Sequence, residues 1–297
     1  MKGIILKALS SFYYVEQDGE IYECKARGNF RKSGISPLVG DIVEFRITEN
    51  GKGIVNSILP RKNFLVRPNV ANIDKLFIVS SFSTPAPNAF IIDKITAVAE
   101  YKAIEPIIVF NKCDMGDFSH WENIYKNSGF KTFTVSAQTK EGLDSLLSEL
   151  QNSVSAFTGN SGVGKSSILN CILENRSIAT GEVSEKLGRG RHTTRHIEAY
   201  RLKNGGIVVD TPGFSSLDYT SRDYEFKENL AHFFRDFKDY IYTCKFSTCS
   251  HTKENGCGVL QAVKDGKIEV TRHNSYVELF SEMKDLKPWE ADNYKKK

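Results

Sequence analysis

Gly159-Asn160-Ser161-Gly162-Val163-Gly164-Lys165-Ser166-Ser167 sets glycines, a lysine and a hydroxyl at the spacing G-x-x-x-x-G-K-[ST]. Glycine backbone there turns N–H groups inward on a phosphate, and the helix start behind it favours negative charge. Lys165 would reach the β- and γ-phosphates as the catalytic cation, and the Ser166 hydroxyl would bind Mg²⁺. Asn111-Lys112-Cys113-Asp114 fits N-K-x-D. A carboxylate at Asp114 can accept from both the N1–H and the 2-amino group of guanine; adenine offers no such pair, so Asp114 would be left unpaired. Asn111 would brace the loop and the Lys112 stem would cover the base. Ser136-Ala137 ends the next strand and matches the element whose backbone N–H meets guanine O6. Asp210-Thr211-Pro212-Gly213 fits D-x-x-G: Asp210 would hold Mg²⁺ through water, and the Gly213 N–H would meet the γ-phosphate. Between the two phosphate motifs lies Gly188-Arg189-Gly190-Arg191-His192-Thr193-Thr194, where Thr193, or else Thr194, would complete the Mg²⁺ shell. The ligand these residues describe is GTP or GDP with Mg²⁺.

A second chemistry sits near the end. Cys244-x4-Cys249-x-His251-x5-Cys257 supplies three thiolates and an imidazole, a closed tetrahedral set for one structural zinc with no position left for water. The chain has six cysteines, and this clustering suggests metal rather than disulfides.

The elements that must carry these residues follow from the pattern of apolar side chains. Ser153–Thr158 reads as a buried strand and Ser166–Leu173 as a helix, the context a phosphate loop needs. Lys75–Ser81, Glu105–Asn111 and Lys131–Ser136 read as strands; Phe90–Tyr101, His120–Ser128 and Glu141–Gln151 read as helices. His196–Leu202 and Ile207–Asp210 form two strands about Gly205-Gly206. This alternation predicts a mostly parallel sheet covered by helices over residues 67–221. Before it, residues 1–66 read as short strands (Ile4–Val15, Ile21–Arg27, Asp41–Thr48, Gly53–Leu59) of a small barrel. The first 67 residues hold eleven Lys and Arg against seven Asp and Glu, a surplus equal to the +4 of the whole chain. Within the barrel, Arg27, Phe30, Arg31 and Lys32 combine cations with an exposed aromatic ring, a set suited to RNA. Residues 222–297 read as a helical, charged, zinc-binding domain, with helical spacing over Tyr224–Tyr242 and a final helix at about Ser275–Lys284. The fold class is therefore multidomain α/β.

The motif order is rotated: N-K-x-D and S-A precede the phosphate loop, whereas GTPases ordinarily place them last. A circular permutation keeps the same sheet and site while moving the ends. With this order, the barrel, the Gly190–Thr194 run and the cysteine segment, the chain resembles the ribosome small-subunit-dependent GTPase A family (RsgA type) over nearly its whole length. The resemblance implies an OB-like barrel, 30S subunit and 16S rRNA as partners, a role in late 30S maturation, and hydrolysis activated by the subunit. It also implies a monomer. Where Ras-like enzymes have a water-orienting glutamine after D-x-x-G, this chain has Phe214, so intrinsic turnover should be slow. The missing group would be His192 or one supplied by the ribosome. Competing readings are an ATPase or nucleotide kinase, an RNA-binding adaptor with a silent GTPase fold, and an RNA-binding GTPase switch acting on mature ribosomes. A 40% hydrophobic composition permits a real core. No apolar run is long enough for a bilayer, and Met1–Lys7 lacks the shape of a signal peptide, so no membrane partner and a cytoplasmic location are expected.

Overall fold

The structure, a computed structural model, describes residues 1–9, 11–27, 30, 36–65, 68–82, 85–174, 197–210 and 224–284. In chain order, five strands come first: β1 (Lys2–Leu9), β2 (Phe12–Gln17), β3 (Glu20–Ala26), β4 (Ile42–Ile47) and β5 (Gly53–Ile58). A two-strand clip follows, β6 (Phe64–Leu65) and β7 (Val70–Ala71). Alternation then begins with β8 (Lys75–Ser81), α1 (Ala89–Tyr101), β9 (Glu105–Asn111), α2 (Ser119–Asn127), β10 (Lys131–Val135) and α3 (Leu143–Glu149). It continues through β11 (Val154–Thr158), α4 (Lys165–Leu173), β12 (Glu198–Arg201) and β13 (Ile207–Asp210). The last part holds α5 (Tyr224–Glu228), three short 3-10 turns, α6 (Gly258–Lys264) and α7 (Val270–Met283). The described residues gather into two compact units built from interleaved stretches: Met1–Phe77, Ala137–Phe157 and Gly164–Phe214 in the first, Ile78–Ser136, Thr158–Val163 and Ser215–Lys297 in the second.

The first unit contains a closed five-stranded barrel. β1 pairs with β2, β2 with β3, β3 with β5 in parallel, β5 with β4, and β4 back with β1. Alternation along each strand turns one set of side chains inward, and Ile5, Val15, Cys24, Val43, Phe45 and Val55 form its buried core. The run expected as one strand, Ile4–Val15, is two antiparallel strands, β1 and β2; the sequence between them, Ser10-Ser11, holds no glycine, asparagine or proline to signal the break. β1 does two jobs. From Lys2 to Ile4 it pairs with β4 and closes the barrel; at Lys7 it pairs with β12. The register against β2 shifts between Ile5 and Lys7, a bulge of the kind that re-aims a strand. Beyond β12, an antiparallel pairing leads to β13, and β13 runs parallel to β11.

The barrel is tied down by side chains at its exit. Arg61 donates two 2.7 Å bonds to the buried Asp41 carboxylate. Asn63 exchanges bonds of 2.8 and 2.9 Å with the Ile73 backbone, and the Asn72 amide donates to the Gly40 carbonyl at 3.0 Å.

In the second unit, β9 and β10 run parallel from Lys131 opposite Ile107 to Val135 opposite Asn111. Continuous burial of Ile107, Ile108, Val109 and Phe110 explains why β9 reads as an unbroken apolar run. α1 starts at an Asn88 cap, whose side chain accepts from the Ile91 N–H at 3.1 Å. It packs on α7, and the fully buried Arg272 of α7 donates to Asp93 of α1 at 2.7 Å and to Asp236 at 3.0 and 3.2 Å. Its guanidinium also lies over the Phe234 and Phe130 rings, at 4.7 and 5.2 Å. Burial opposes its charge, but the two carboxylates hold its pKa above the ordinary arginine value. Arg235 makes a second knot with Glu105, Glu100 and the Gly129 carbonyl. The helical spacing expected over Tyr224–Tyr242 resolves into α5 followed by turns at Leu230–Phe233, Arg235–Phe237 and Ile241–Thr243. The chain becomes extended at Phe234, which breaks the helix just before Arg235. The final helix starts at Val270, five residues before the expected Ser275.

Candidate active site and metal centre

The base-reading motif and the first half of the phosphate loop lie in the second unit. Asn111 closes β9 almost fully buried, and its side-chain amide donates to the Val163 carbonyl at 2.8 Å. Lys112 takes a left-handed conformation (φ 67°), and its ammonium donates to the Gly162 carbonyl at 3.0 Å. The motif's first two side chains therefore brace the phosphate loop directly. Cys113 and Asp114 sit on a single 3-10 turn that leaves Asp114 exposed. The Ser136 hydroxyl donates to the Asp114 carboxylate at 2.5 Å, fixing one oxygen. Gly159 opens the loop at φ 140°, and a Cβ there would stand 2.1 Å from the Val79 carbonyl. Only glycine permits this approach of loop to strand. Asn160, Ser161 and Gly162 continue the loop at the surface, and Val163 is buried.

The rest of the phosphate machinery lies in the first unit. Gly164, at φ 92°, caps α4, and Lys165 is its first residue. Burial pushes the Lys165 ammonium below its ordinary pKa. Ser166 and Ser167 follow exposed on the first turn. Ala137 accepts at its carbonyl from the Cys171 thiol of α4, at 3.5 Å. Asp210 ends β13; burial first, then neighbouring Glu198, push its carboxyl up. A half-buried carboxylate with a hydroxyl at a helix start is an all-oxygen set, which suits Mg²⁺. His192, Thr193 and Gly213 lie outside the described residues, as do Arg31 and Lys32 of the barrel loop. Arg27 is exposed. Phe30 departs from expectation: its ring is half-buried against the barrel core instead of standing free in solvent.

Cys244, Cys249, His251 and Cys257 bring their ligand atoms within 4.8 Å of one another. Cys244 Sγ lies 3.8 Å from Cys257 Sγ and 3.4 Å from His251 Nδ1, and Cys257 Sγ lies 3.6 Å from that nitrogen. Donors at tetrahedral zinc distances stand roughly 3.5–3.8 Å apart, so the set fits the ion. Burial pushes the Cys249 thiol up to about 12, raises Cys257 and lowers His251. A bound cation would reverse the thiol shifts, since the thiolate is the ligand. The loop is held from outside. Gly258 N–H donates to Cys244 Sγ at 3.2 Å and Leu260 N–H to Cys257 Sγ at 3.4 Å. Glu254 accepts from the Ser250, Thr252 and Lys253 N–H groups. From α7, His273 Nε2 lies 2.8 Å from the His251 carbonyl oxygen, and the Tyr276 hydroxyl donates to the Ser250 carbonyl.

Sequence reasoning missed the Ser136 hydroxyl, the carbonyls that receive Asn111 and Lys112, and His273. The first depends on where two strands end. The last had a local signal, the spacing of His273 and Tyr276 one helical turn apart, which an early helix start would have exposed.

A barrel, a permuted nucleotide-binding sheet and a thiolate–imidazole cluster define a permuted GTPase whose C-terminal region could hold a metal ion. The RsgA GTPase family matches residues 58–220, and the RsgA N-terminal domain matches residues 2–55. The small ribosomal subunit biogenesis GTPase RsgA of Caldanaerobacter subterraneus subsp. tengcongensis is 45% identical over 288 residues, 96% of each chain. That of Streptococcus pneumoniae is 42% identical over 301 residues, covering 100% of this chain and 98% of the relative. The crystal structure of YjeQ from Thermotoga maritima aligns with a TM-score of 0.82 at 35% identity, over 96% of this chain and 99% of that one. YloQ, described as a circularly permuted GTPase, aligns at 0.80 with 35% identity, over 97% and 96%. The chain belongs to the RsgA GTPase family.

Proposed function

We propose that this protein hydrolyses GTP in late maturation of the small ribosomal subunit, binding 16S rRNA and turning over under stimulation by the subunit. The observation that carries the nucleotide reading is the bracing of Asn111 on the Val163 carbonyl and Lys112 on the Gly162 carbonyl, which ties base-reading loop to phosphate loop. The names of the relatives favour assembly over action on mature ribosomes.

In this reading Asn111, Lys112, Cys113, Asp114, Ser136 and Ala137 surround guanine. Gly159 to Ser167 cradle the phosphates, and Gly213 meets the γ-phosphate. Lys165 balances charge on the β- and γ-phosphates; its burial strengthens that contact by excluding water. Ser166, Thr193 and Asp210 would hold Mg²⁺, which neutralises phosphate charge when bound. His192 is a candidate for orienting water. Cys244, Cys249, His251 and Cys257 hold one structural zinc. Arg27, Phe30, Arg31 and Lys32 form the rRNA-binding set. The three-part division 1–66, 67–221 and 222–297 describes the work done: RNA binding, nucleotide turnover and metal-stabilised support. In this reading the protein works as a monomer in the cytoplasm; separately, no described helix is long and apolar enough to cross a membrane.

The test is phosphate release with and without purified 30S subunits, for wild type and Asp114→Asn. Subunits should raise wild-type turnover by orders of magnitude, and the variant should shift from GTP toward xanthosine triphosphate. Rapid basal turnover indifferent to subunits, or unchanged GTP affinity in the variant, would sink the reading.

A further inference from the structure

β1 changes partner within its own length, and the change puts it one strand, β12, away from Asp210. Lys7 stands opposite Glu198 across the β1–β12 pair, and Glu198 stands opposite Asp210 across β12–β13. Residues opposite one another share a face of the sheet with Cβ atoms roughly 4.5–5.5 Å apart. The three side chains therefore form one row: ammonium, carboxylate, carboxylate. Lys7 Nζ lies 3.1 Å from Glu198 Oε2, with the lysine largely buried. The register shift between Ile5 and Lys7 is what brings Lys7 into this row. A second tie runs alongside: Arg201 of β12 donates through Nε to the buried Glu16 of β2 at 3.1 Å. Only three residues separate Thr194 of the threonine run from Glu198.

We propose that Lys7 and Glu198 are positioning residues for hydrolysis: the barrel strand supplies the counter-charge that sets the geometry of Asp210, so engagement of the barrel is felt at the phosphate site. This rests on the GTPase reading above. Two carboxylates side by side repel, and Lys7 relieves that repulsion from the barrel side. A shift of β1 changes how far Glu198 leans on Lys7 or on Asp210. Asp210's raised carboxyl pKa, owed in part to Glu198, is consistent with that closeness. Coupling of this kind is reciprocal: if barrel engagement alters the nucleotide site, the nucleotide must alter the barrel strand.

The experiment uses the full chain with GDP and with a non-hydrolysable GTP analogue. First, without ribosomes, amide hydrogen exchange is followed in Lys2–Leu9. Protection there should differ between the two nucleotides in wild type, and that difference should collapse in Lys7→Met. Lys7→Arg should retain it. Second, with 30S subunits, Lys7→Met should bind GDP as wild type does but lose about tenfold of the subunit's stimulation of turnover, within the usual span of coupling. The charge swap, Lys7→Glu with Glu198→Lys, should restore most of that loss. Identical protection of β1 in both nucleotide states of wild type overturns the proposal, as does a charge swap no better than its single substitutions. A wild type whose β1 responds to nucleotide but whose turnover ignores 30S would keep the joint and remove the ribosomal partner instead.

Discussion

Each of the two compact units has its own means of internal cohesion. In the first, continuity is made by backbone: strand pairs run from the barrel through β1, β12 and β13 to β11. In the second, the C-terminal segment is fastened by side chains: the Arg272 guanidinium between Asp93 and Asp236, the Arg235 knot, the Phe234, Phe237 and Tyr276 rings, and three thiols and an imidazole that could hold a metal ion. Strand pairing tolerates changes in side chain because its bonds belong to the main chain. Buried ionic and sulfur centres do not, because each is a few atoms with no substitute. The cysteine-bearing segment thus belongs with α1 in the second unit, fixed by a few residues that single substitutions can remove.

That contrast can be broken in four places. Stripping the metal should have the largest effect; structural zinc is worth about 10–16 kcal/mol in isolated zinc-finger peptides. A chelator should melt the C-terminal segment, seen as early amide exchange in α6 and α7, while the barrel strands stay protected. Simultaneous loss of protection in both units would erase the distinction. Next, Arg272→Ala strips two buried carboxylates of their shared counter-charge, leaving Asp236 the Ser128 hydroxyl at 3.3 Å, and should lower unfolding free energy by about 3–5 kcal/mol in urea titration. In the strand-built unit, Arg201→Ala unpairs only Glu16, which keeps the Gly19 N–H as a donor. Its cost should be smaller, about 1.5–3 kcal/mol by the same titration. A cost equal to that of Arg272→Ala would show that side chains matter as much in the first unit. Smallest is Ser136→Ala, which frees one oxygen of Asp114 without disturbing either framework. It should weaken GTP binding by about fivefold, the worth of about 1 kcal/mol, with melting unchanged.

The same contrast governs what the sequence disclosed. Lys75–Ser81, Glu105–Asn111 and Ile207–Asp210 were legible to the residue, because strands buried on both faces are unbroken apolar runs. The phosphate loop, the base-reading loop and the cysteine cluster were legible because each is contiguous and spaced by its ligand's geometry. What stayed hidden was long-range register. Nothing near Lys7 announces Glu198, and nothing near Arg272 announces Asp93. The Tyr224–Tyr242 stretch misled for a related reason. Its apolar spacing suits a helix, but Arg235 bonds to Glu100, Glu105 and the Gly129 carbonyl, partners far away in sequence, and the extended backbone at Phe234 interrupts the periodicity.

The divided loyalty of β1 also orders events during synthesis. Its barrel partners are complete once Ile58 has emerged, whereas the β2–β12 tie joins residues 185 positions apart. At roughly 5–20 residues per second, the stretch from Ile58 to Glu198 takes roughly 7–28 seconds to translate. Through that interval the barrel can close, yet the Lys7–Leu9 stretch keeps one edge unpaired, open to any other extended chain. A lysine on an open edge is a deterrent to such pairing. Lys7 therefore guards the nascent edge first and only later, when Glu198 arrives, becomes half of an ion pair.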